Sequence, residues 1–500
     1  MKNSTLLFGF FIFIIWSIAG LISDRPIEDA FILVLTQSGI SICAFILLYK
    51  FIPSRRVGPE FGFIICLHYF IYYSISNIVP ALLPGIRPIK IQVMLERIPL
   101  ASAWSYGIAS IASGLLVFGL IIGAYLSQKF LPLLPIDKRE AKFIWFPGYR
   151  LNVYACNFIL LVVIYGTLRF GLNEIMVSEQ LFTDLSLFQQ MVFHGLFYFL
   201  PIAPLLAAFA LVRATTLKQR RFTYWLLAMA CLITFFDLSI LGQRSTAIIA
   251  LLVPIVFLAF IGKINFRQII LPTLVGMVFI YAGVTLVRDS NLRYFLSNKD
   301  SDISLKTFTS ILTTQNENKD VLGHAIADIS YRTAGLEAVA AFIQKHNEDV
   351  LAYQYGITVG SGFIQALPRA LRHIDEMPEQ IKIAPSYLGI FDPGDWVTTI
   401  LAEFTLDFGP FWLFFPAIIA GFIFGMIDRI LLIMGQTPQL EGLLILRIVF
   451  LLYIISNGGS LAGMTLLLFK ATIGYTILLI FISTITRISI SKTRLLQTQD

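Results

Sequence analysis

The sequence predicts an all-α integral membrane protein with about twelve transmembrane helices and one long, partly helical loop. Hydrophobic residues make up 57% of the 500 residues and charged residues only 13%, and the mean hydropathy is +0.80. Such a balance is typical of a chain that is solvated mainly by lipid. Apolar runs of roughly 20 residues, the length at which a helix crosses the hydrocarbon core, recur from end to end.

The apolar runs divide the chain into an N-terminal bundle, a long loop and a C-terminal group of helices. About nine helices are predicted in residues 1–287 and about three in residues 396–500, with the loop at 288–395 between them. The first run is longer than the apolar core of a usual signal peptide, so we expect it to remain as the first helix. The predicted spans are 5–23, 30–50, 61–83, 103–127, 151–168, 189–212, 222–241, 246–262, 268–287, 408–428, 442–457 and 461–484.

Lysine and arginine residues concentrate in every second connection between helices, for example at Arg55 and Arg56 and at Arg220 and Arg221. Because basic residues are enriched in cytoplasmic loops, both termini are predicted to be cytoplasmic. The loop at 288–395 is then periplasmic, and the protein lies in the bacterial inner membrane. The same bias accounts for the net charge of +7, so the charge indicates no nucleic-acid partner.

The four cysteines all fall inside apolar runs and have neither zinc-site nor redox-motif spacing. They are Cys43, Cys66, Cys156 and Cys231. We therefore expect small core residues, with no disulfide and no metal site.

The predicted periplasmic loop is about 100 residues long, far more than the few residues of an ordinary connection between helices. Apolar side chains recur with helical period in its middle part. This pattern predicts at least one amphipathic helix packed outside the bilayer. The apolar stripe consists of Leu322, Ile326, Ile329, Leu336, Ala340 and Ile343.

A polar stripe runs along the opposite face of the same predicted helix and consists of His324, Asp328, Tyr331 and Arg332. Their spacing of i, i+4, i+7 and i+8 places them on one side. One interpretation is an ordinary surface ion pair between Asp328 and Arg332, which contributes only a few tenths of a kcal/mol. The other is a stripe that faces a functional site, because the flanking alanines are unusual for a freely solvated face.

Arginines at the predicted outer membrane surface are candidates for binding phosphate. Arg288 and Arg293 follow the ninth predicted helix, where a guanidinium group would meet the phosphates of a lipid carrier. Snorkelling to the interface is the alternative. Arg244 lies in the turn between the seventh and eighth helices, where it either caps the seventh helix and pairs with Asp237 or contacts substrate.

A second basic group lies further along the loop, at Arg369 and Arg372. Two guanidinium groups within one turn of chain could clamp a second phosphate or a sugar carboxylate. The loop as a whole has more acidic than basic residues, so any anion site in it must be local.

Two charged residues fall inside the predicted C-terminal helices, Arg447 and Lys470. A charge is costly in lipid, so both side chains are expected to face protein or a water-filled cavity. Lys470 could balance Glu403 or Asp407, and a proton-coupled transporter would also use such a residue.

A series of short motifs follows the predicted helices, namely the turn Gly242–Ser245, Arg288, Ser330–Arg332, Tyr355–Gly356, Leu367–Arg369 and Leu401–Pro410. With the layout of the helices and the long loop, these motifs resemble the O-antigen polymerases, which are polytopic, GT-C-like glycosyltransferases. The resemblance covers nearly the whole chain in layout. The sequence lacks the paired arginine motif that some of these polymerases have in two outer loops.

The resemblance implies that the substrates are undecaprenyl-diphosphate-linked oligosaccharides. The growing glycan would move from its lipid carrier to the non-reducing end of a single lipid-linked repeat unit, with no nucleotide sugar, metal or other cofactor. Membrane lipid surrounds such an enzyme, and a chain-length regulator protein is the implied protein partner.

The implied chemistry needs two kinds of side chain. Cations must stabilise the departing diphosphate, and the candidates are Arg288, Arg332 and Arg369. A base must accept the proton of the attacking sugar hydroxyl, and the candidates are Asp328, His324 and Glu403. The other expected contacts to diphosphate or sugar are Arg293, Arg244, Tyr331 and Arg372.

Two other functions fit the same pattern. An O-antigen ligase would transfer the finished glycan to the lipid A core, and a flippase would move the lipid-linked oligosaccharide across the membrane. The single large loop and the lack of an internal repeat in the sequence favour an enzyme over a transporter.

Overall fold

The protein is helical throughout the part of the chain that its computed structural model describes, and no β-strand occurs there. This agrees with the predicted all-α class. The structure describes residues 2–23, 25–50, 60–69, 101–132, 149–150, 152–161, 202–240, 335–348, 353–358 and 399–435, and the single positions 73, 82, 164, 251, 254, 258, 360, 447, 450, 451 and 454.

Over the first half of the chain, each described helix overlaps a predicted apolar run. The run at 151–168 contains an apolar helix at Asn152–Leu161. The predicted helices at 246–262, 268–287, 442–457 and 461–484 lie outside the described residues, apart from single positions. The labelled helices are α1 (Lys2–Leu21), α2 (Ile27–Lys50), α3 (Phe61–Tyr69), α4 (Ala103–Phe130), α5 (Ile202–Arg213), α6 (Leu217–Ile240), α7 (Gly335–Asn347), α8 (Ile400–Phe408) and α9 (Phe414–Gly435).

Within the described ranges, three helices are long and apolar enough to cross a membrane. They are Ile27–Leu47 in α2, Ala103–Phe130 in α4 and Phe414–Met434 in α9. The 28 residues of α4 extend about 42 Å at about 1.5 Å per residue, more than the hydrocarbon thickness of about 30 Å. These helices support the prediction of a membrane protein.

The chain forms two compact units. The first unit contains α1 to α4 and α7 to α9, and the second contains α5, α6 and the helix Asn152–Leu161. In the first unit α1 packs against α2, and α2 and α3 pack against α4. In the second unit α5 packs against α6, and the Cys156 thiol donates to the Ala203 carbonyl at 3.3 Å.

Helices α4 and α9 approach each other at backbone distance through four glycines. A Cβ atom added to Gly123 would overlap the backbone of α9, and one added to Gly421 would overlap the backbone of Leu120. Gly119 and Gly425 lie against the facing helix in the same way. Each helix therefore has glycines four positions apart, the pattern by which membrane helices gain close van der Waals packing.

The same contacts show that α4 and α9 run parallel. Gly119, earlier in α4, lies beside Phe414 at the start of α9, and the rings of Phe118 and Phe414 stack with centroids 6.3 Å apart. Later in both helices, Gly425 lies beside Ser127. The N-terminal ends of the two helices therefore lie at one end of the first unit, which we call the α4 N-terminal end.

A polar cluster ties three helices together at the opposite end. The Phe61 amide, at the start of α3, donates to the Asp428 carboxylate at 3.1 Å. Glu60 accepts from the Gln128 side chain at 2.7 Å and pairs with Arg429 at 3.6 Å. Because the first amides of a helix have no partner within it, Asp428 acts as an N-terminal cap supplied by another helix.

The predicted span at 408–428 begins later than expected. A separate helix, α8, ends at Phe408, a turn follows, and the membrane-length helix α9 starts at Phe414. Gly409 has φ +82° and ψ 166°, a conformation that L residues avoid. Pro410 follows, and the residue before a proline rarely remains helical.

A helix is present in part of the stretch where the sequence predicts an amphipathic helix. Residues Gly335–Asn347 form α7, and Leu336, Ala340 and Ile343 of the apolar stripe are buried. α7 packs on both α4 and α8. The earlier residues of the stripe lie outside the described part of the chain.

The prediction that the cysteines are small core residues is confirmed for two of them and wrong for one. Cys66 and Cys156 are buried, whereas Cys43 is exposed on α2. An apolar run does not distinguish a face in contact with lipid from one in contact with protein, because both are apolar.

Candidate functional site

The candidate site is built on α8, a helix of nine residues at the α4 N-terminal end of the first unit. Thr399 caps its N-terminus, with the side-chain oxygen accepting from the Ala402 amide at 3.2 Å. Every residue from Ile400 to Asp407 is buried. A helix buried on all sides is normally apolar all round, so the two acidic residues in α8 need an explanation.

Glu403 and Asp407 lie one turn apart on the same side of α8 and are fully buried. The Asp407 carboxylate accepts a hydrogen bond from the backbone amide of Thr358, itself buried, at 3.0 Å. A buried carboxylate is tolerated only where such donors replace water. Asp407 therefore holds the segment 353–358, and Glu403 is the second acidic group of the same face.

The segment 353–358 lies against the C-terminal end of α8. The amides of Gln354 and Tyr355 donate to the carbonyls of Leu406 and Asp407, both at 2.9 Å. The last carbonyls of a helix have no amide donor within that helix. These two bonds supply the missing donors at the end of α8. Two motifs far apart in sequence, Tyr355–Gly356 and Leu401–Pro410, thus meet in the structure.

Tyr355 adopts a left-handed backbone conformation with φ +51°, and Gly356 follows with φ +93°. A left-handed conformation is uncommon for a tyrosine and costs about 1–2 kcal/mol. The two backbone bonds to α8 offset this cost. Backbone strain that surrounding contacts maintain is a feature of binding and catalytic sites.

Tyr353 fills the space beside the C-terminus of α8. Its ring lies over Gly409, where an added Cβ would be 2.9 Å from the ring, and it packs on His346 of α7 with ring centroids 3.9 Å apart. Burial, with Tyr355 nearby, raises the pKa of the Tyr353 phenol. The phenol is therefore neutral around pH 7. The Tyr353 ring connects α7 to the C-terminal end of α8.

A cation lies at the same end of the first unit. The Arg25 guanidinium, just before α2, donates to the Ala101 carbonyl at 3.0 Å and lies 5.2 Å above the Tyr106 ring. The next residue, Ser102, donates its amide to Gln344 of α7 at 2.9 Å. The turn before α2, the start of α4 and α7 are thereby joined.

No protein-family model, curated protein or solved structure matches the chain. The candidate site combines two buried carboxylates, a strained exposed tyrosine and a partly buried arginine, all at one end of the first unit. Such groups can accept a proton and bind an anion.

Glu403 is the one predicted site residue that lies in the described part of the chain, and it is buried in α8. The burial of Arg447 agrees with the expectation that it faces protein. Lys470 lies outside the described residues. The other predicted site residues also lie outside them and stay predictions: His324, Asp328, Tyr331, Arg332, Arg288, Arg293, Arg244, Arg369 and Arg372.

Sequence reasoning missed Arg25 as a member of the site. It has no neighbouring motif, and it was one of a few basic residues in the predicted outer loops. Its role depends on Ala101 and Tyr106, which are distant in sequence. Only the presence of a basic residue directly before an apolar run could have drawn attention to it.

Sequence reasoning also missed a polar cluster between α2, α3 and α4. Gln37 donates to Ser110, and the hydroxyl oxygens of Tyr69 and Ser113 are 3.5 Å apart. His68 packs edge-on against Tyr73 with ring centroids 5.7 Å apart. Buried polar residues in membrane helices are a usual sign of interhelical bonding or function, so polar residues inside apolar runs were the available signal.

The described residues contain no group of side chains suited to hold a metal ion.

Proposed function

We propose that the protein is a membrane glycosyltransferase that polymerises undecaprenyl-diphosphate-linked oligosaccharide repeat units. The product is O-antigen or a related surface polysaccharide, made at the outer face of the bacterial inner membrane. The observation that carries this proposal is the meeting of Tyr355–Gly356 with α8, through bonds at 2.9 Å to Leu406 and Asp407. Both segments belong to the motifs by which the sequence resembles the O-antigen polymerases.

The proposed reaction is a single displacement of diphosphate by a sugar hydroxyl. A hydroxyl oxygen at the non-reducing end of one lipid-linked repeat unit attacks the anomeric carbon of the growing glycan. The bond between that carbon and the diphosphate oxygen breaks, and undecaprenyl diphosphate leaves with the electron pair. A carboxylate or imidazole accepts the hydroxyl proton.

Among the described residues, Glu403 is the base candidate. Asp328 and His324 are the predicted alternatives. The Glu403 carboxylate is fully buried in α8, one turn before Asp407. Asp407 is a positioning residue, since it holds the Thr358 amide at 3.0 Å. Arg288, Arg332 and Arg369 remain the proposed cations for the diphosphate.

The first test is complementation of a deletion strain with Glu403→Gln and with Arg332→Ala. Each variant is expected to abolish long-chain polymer and leave single capped repeats, with normal amounts of protein in the membrane. Glu348→Gln is the matched control, because Glu348 is an exposed carboxylate at the end of α7. Normal long chains from Arg332→Ala or Glu403→Gln would remove that residue from the mechanism.

The deletion strain also separates the proposed polymerase from a ligase. Loss of a polymerase leaves single repeats attached to the lipid A core, whereas loss of a ligase leaves intact chains on their lipid carrier. Purified protein that lengthens chains on lipid-linked substrate in detergent would exclude transport as its sole activity. Protein that does not lengthen them, although it folds, would count against the polymerase.

A further inference from the structure

We propose that the segment 353–358 and the turn at 410–413 form one surface that binds the lipid headgroup layer. We call it the aromatic corner and define it by the side chains of Tyr355, Ile357, Phe411 and Trp412. The partner is the phospholipid bilayer itself, at the leaflet that surrounds the α4 N-terminal end. This surface needs no enzymatic activity to bind lipid.

The aromatic corner is unusually exposed for its composition. Tyr355 is 84% exposed and Trp412 is 71% exposed, and Ile357 and Phe411 are also exposed. Neither 353–358 nor 410–413 contains a charged residue. A contiguous exposed surface of this kind marks an interaction site, and large aromatic residues with one polar group prefer the membrane interface.

The two segments lie close together because both attach to the end of α8. The amides of Gln354 and Tyr355 bond to its last turn, and the chain continues from Gly409 directly into Phe411 and Trp412. Two residues of chain span at most about 7.6 Å between Cα atoms, so Phe411 stays near the end of α8.

The position of the aromatic corner relative to the bilayer follows from the membrane-length helices. Trp412 lies two residues before the start of α9, and Trp104, 69% exposed, lies at the start of the parallel helix α4. Tyr125 is exposed further along α4, about 31 Å from Trp104 at about 1.5 Å per residue. That separation matches the hydrocarbon thickness of about 30 Å, as expected for two aromatic belts.

The strained conformation and the exposure of Tyr355 are more favourable if its side chain contacts lipid than if it contacts water. Tyr355 has a left-handed backbone conformation and a largely exposed side chain, although its backbone is bonded to α8. In water this arrangement would cost backbone strain and expose apolar surface. In the headgroup layer the ring is buried in the interface while the phenol remains hydrated.

The test is photo-crosslinking in vesicles of phosphatidylethanolamine and phosphatidylglycerol. The photoreactive amino acid p-benzoylphenylalanine replaces Tyr355 or Trp412 in the full-length protein, and mass spectrometry measures the lipid adducts. Phe118, exposed in the middle of α4, is the positive control, and Asn347, exposed at the end of α7, is the negative control. All four side chains are exposed, and the unfolding temperature in detergent checks that each replacement leaves the fold intact.

We expect lipid adducts at both corner positions in yields close to that of Phe118 and severalfold above that of Asn347. Yields at Tyr355 equal to those at Asn347 would overturn the proposal, and so would adducts to another polypeptide segment. Adducts at Trp412 alone would also overturn it, because the surface requires both segments. None of these outcomes depends on polymer synthesis.

Discussion

At the scale of single residues, Asp407 connects the two segments of the candidate site. Its backbone carbonyl accepts from Tyr355, and its side chain accepts from Thr358. Both bonds join buried groups of α8 to the segment 353–358, in which a turn leads into helical residues at 357 and 358. The position of 353–358 therefore depends on one carboxylate and on the end of one helix.

Replacing Asp407 with alanine is expected to destabilise this segment. The substitution leaves the buried Thr358 amide without its acceptor, at a cost of about 1–3 kcal/mol. Asp407→Asn retains an acceptor oxygen and is the matched control, with a smaller loss. Limited proteolysis at 353–358 and thermal unfolding in detergent measure both variants, and an alanine variant as resistant as wild type would contradict this role.

Gly409 is a residue whose backbone conformation disfavours replacement by any other residue. Its φ of +82° and ψ of 166° are accessible to glycine alone among ordinary residues. A Cβ would also be 2.9 Å from the Tyr353 ring. Gly409→Ala is expected to cost about 1–3 kcal/mol of folding free energy, measured as a lower unfolding temperature. Gly107→Ala is the control, because nothing lies within 4 Å of an added Cβ there; equal effects would show that the conformation of Gly409 is unimportant.

At the scale of helices, the α4–α9 pair determines how the first unit is assembled. Its contact is made by backbone against backbone at glycine positions. Lipid competes equally well for apolar side chains, so helices in a membrane gain stability where small residues permit close approach. The four glycines therefore bring the two backbones together, and the stacked rings of Phe118 and Phe414 add to the contact.

Enlarging one of these glycines is expected to separate the two helices. Gly123→Leu would place a side chain into the backbone of α9, and overpacking costs about 1–3 kcal/mol or more. Gly39→Leu is the control, since Gly39 is exposed on α2 and nothing lies within 4 Å of its added Cβ. The temperature of aggregation in detergent should fall for Gly123→Leu and stay near wild type for Gly39→Leu. A fall of equal size in both would argue against the glycine contact.

The start of α6 shows how far helix boundaries follow from the sequence. The apolar run predicts a start at residue 222, but the helix starts at Leu217. Thr216 and Gln219 form a capping box, with the Thr216 hydroxyl and the Gln219 amide 3.2 Å apart and the return bond from the Thr216 amide to the Gln219 side chain also at 3.2 Å. Hydropathy alone does not detect this start, because caps are polar.

At the scale of the whole molecule, the proposed function depends on which end of the first unit faces each side of the membrane. Because α4 and α9 run parallel, Arg25, α7, α8 and the segment 353–358 lie at the same end of the first unit. The polar cluster of Glu60, Asp428 and Arg429 lies at the other end. The positive-inside bias predicts that the end with Arg429 is cytoplasmic and the end with α8 is periplasmic.

Cysteine labelling tests this sidedness. Asn347→Cys is expected to react with a membrane-impermeant maleimide in intact spheroplasts, whereas Lys129→Cys is expected to react only after lysis. Both positions are exposed and belong to opposite ends of the first unit. Wild-type protein gives the background of the native cysteines. Labelling of Lys129→Cys alone in intact spheroplasts would reverse the orientation and remove the site from the periplasm.

The sequence by itself determined the helical class, the membrane-length runs, the buried face of α7 and the two acidic residues before α9. These properties depend on residues close together in the chain, whose period and length express local solvation. Only the tertiary structure decided that α4 and α9 touch through glycines, that 353–358 completes α8, and that Arg25 lies beside Tyr106. In lipid, core-facing and solvent-facing side chains are both apolar, so hydropathy cannot indicate which helix faces meet; close packing and buried hydrogen bonds decide that.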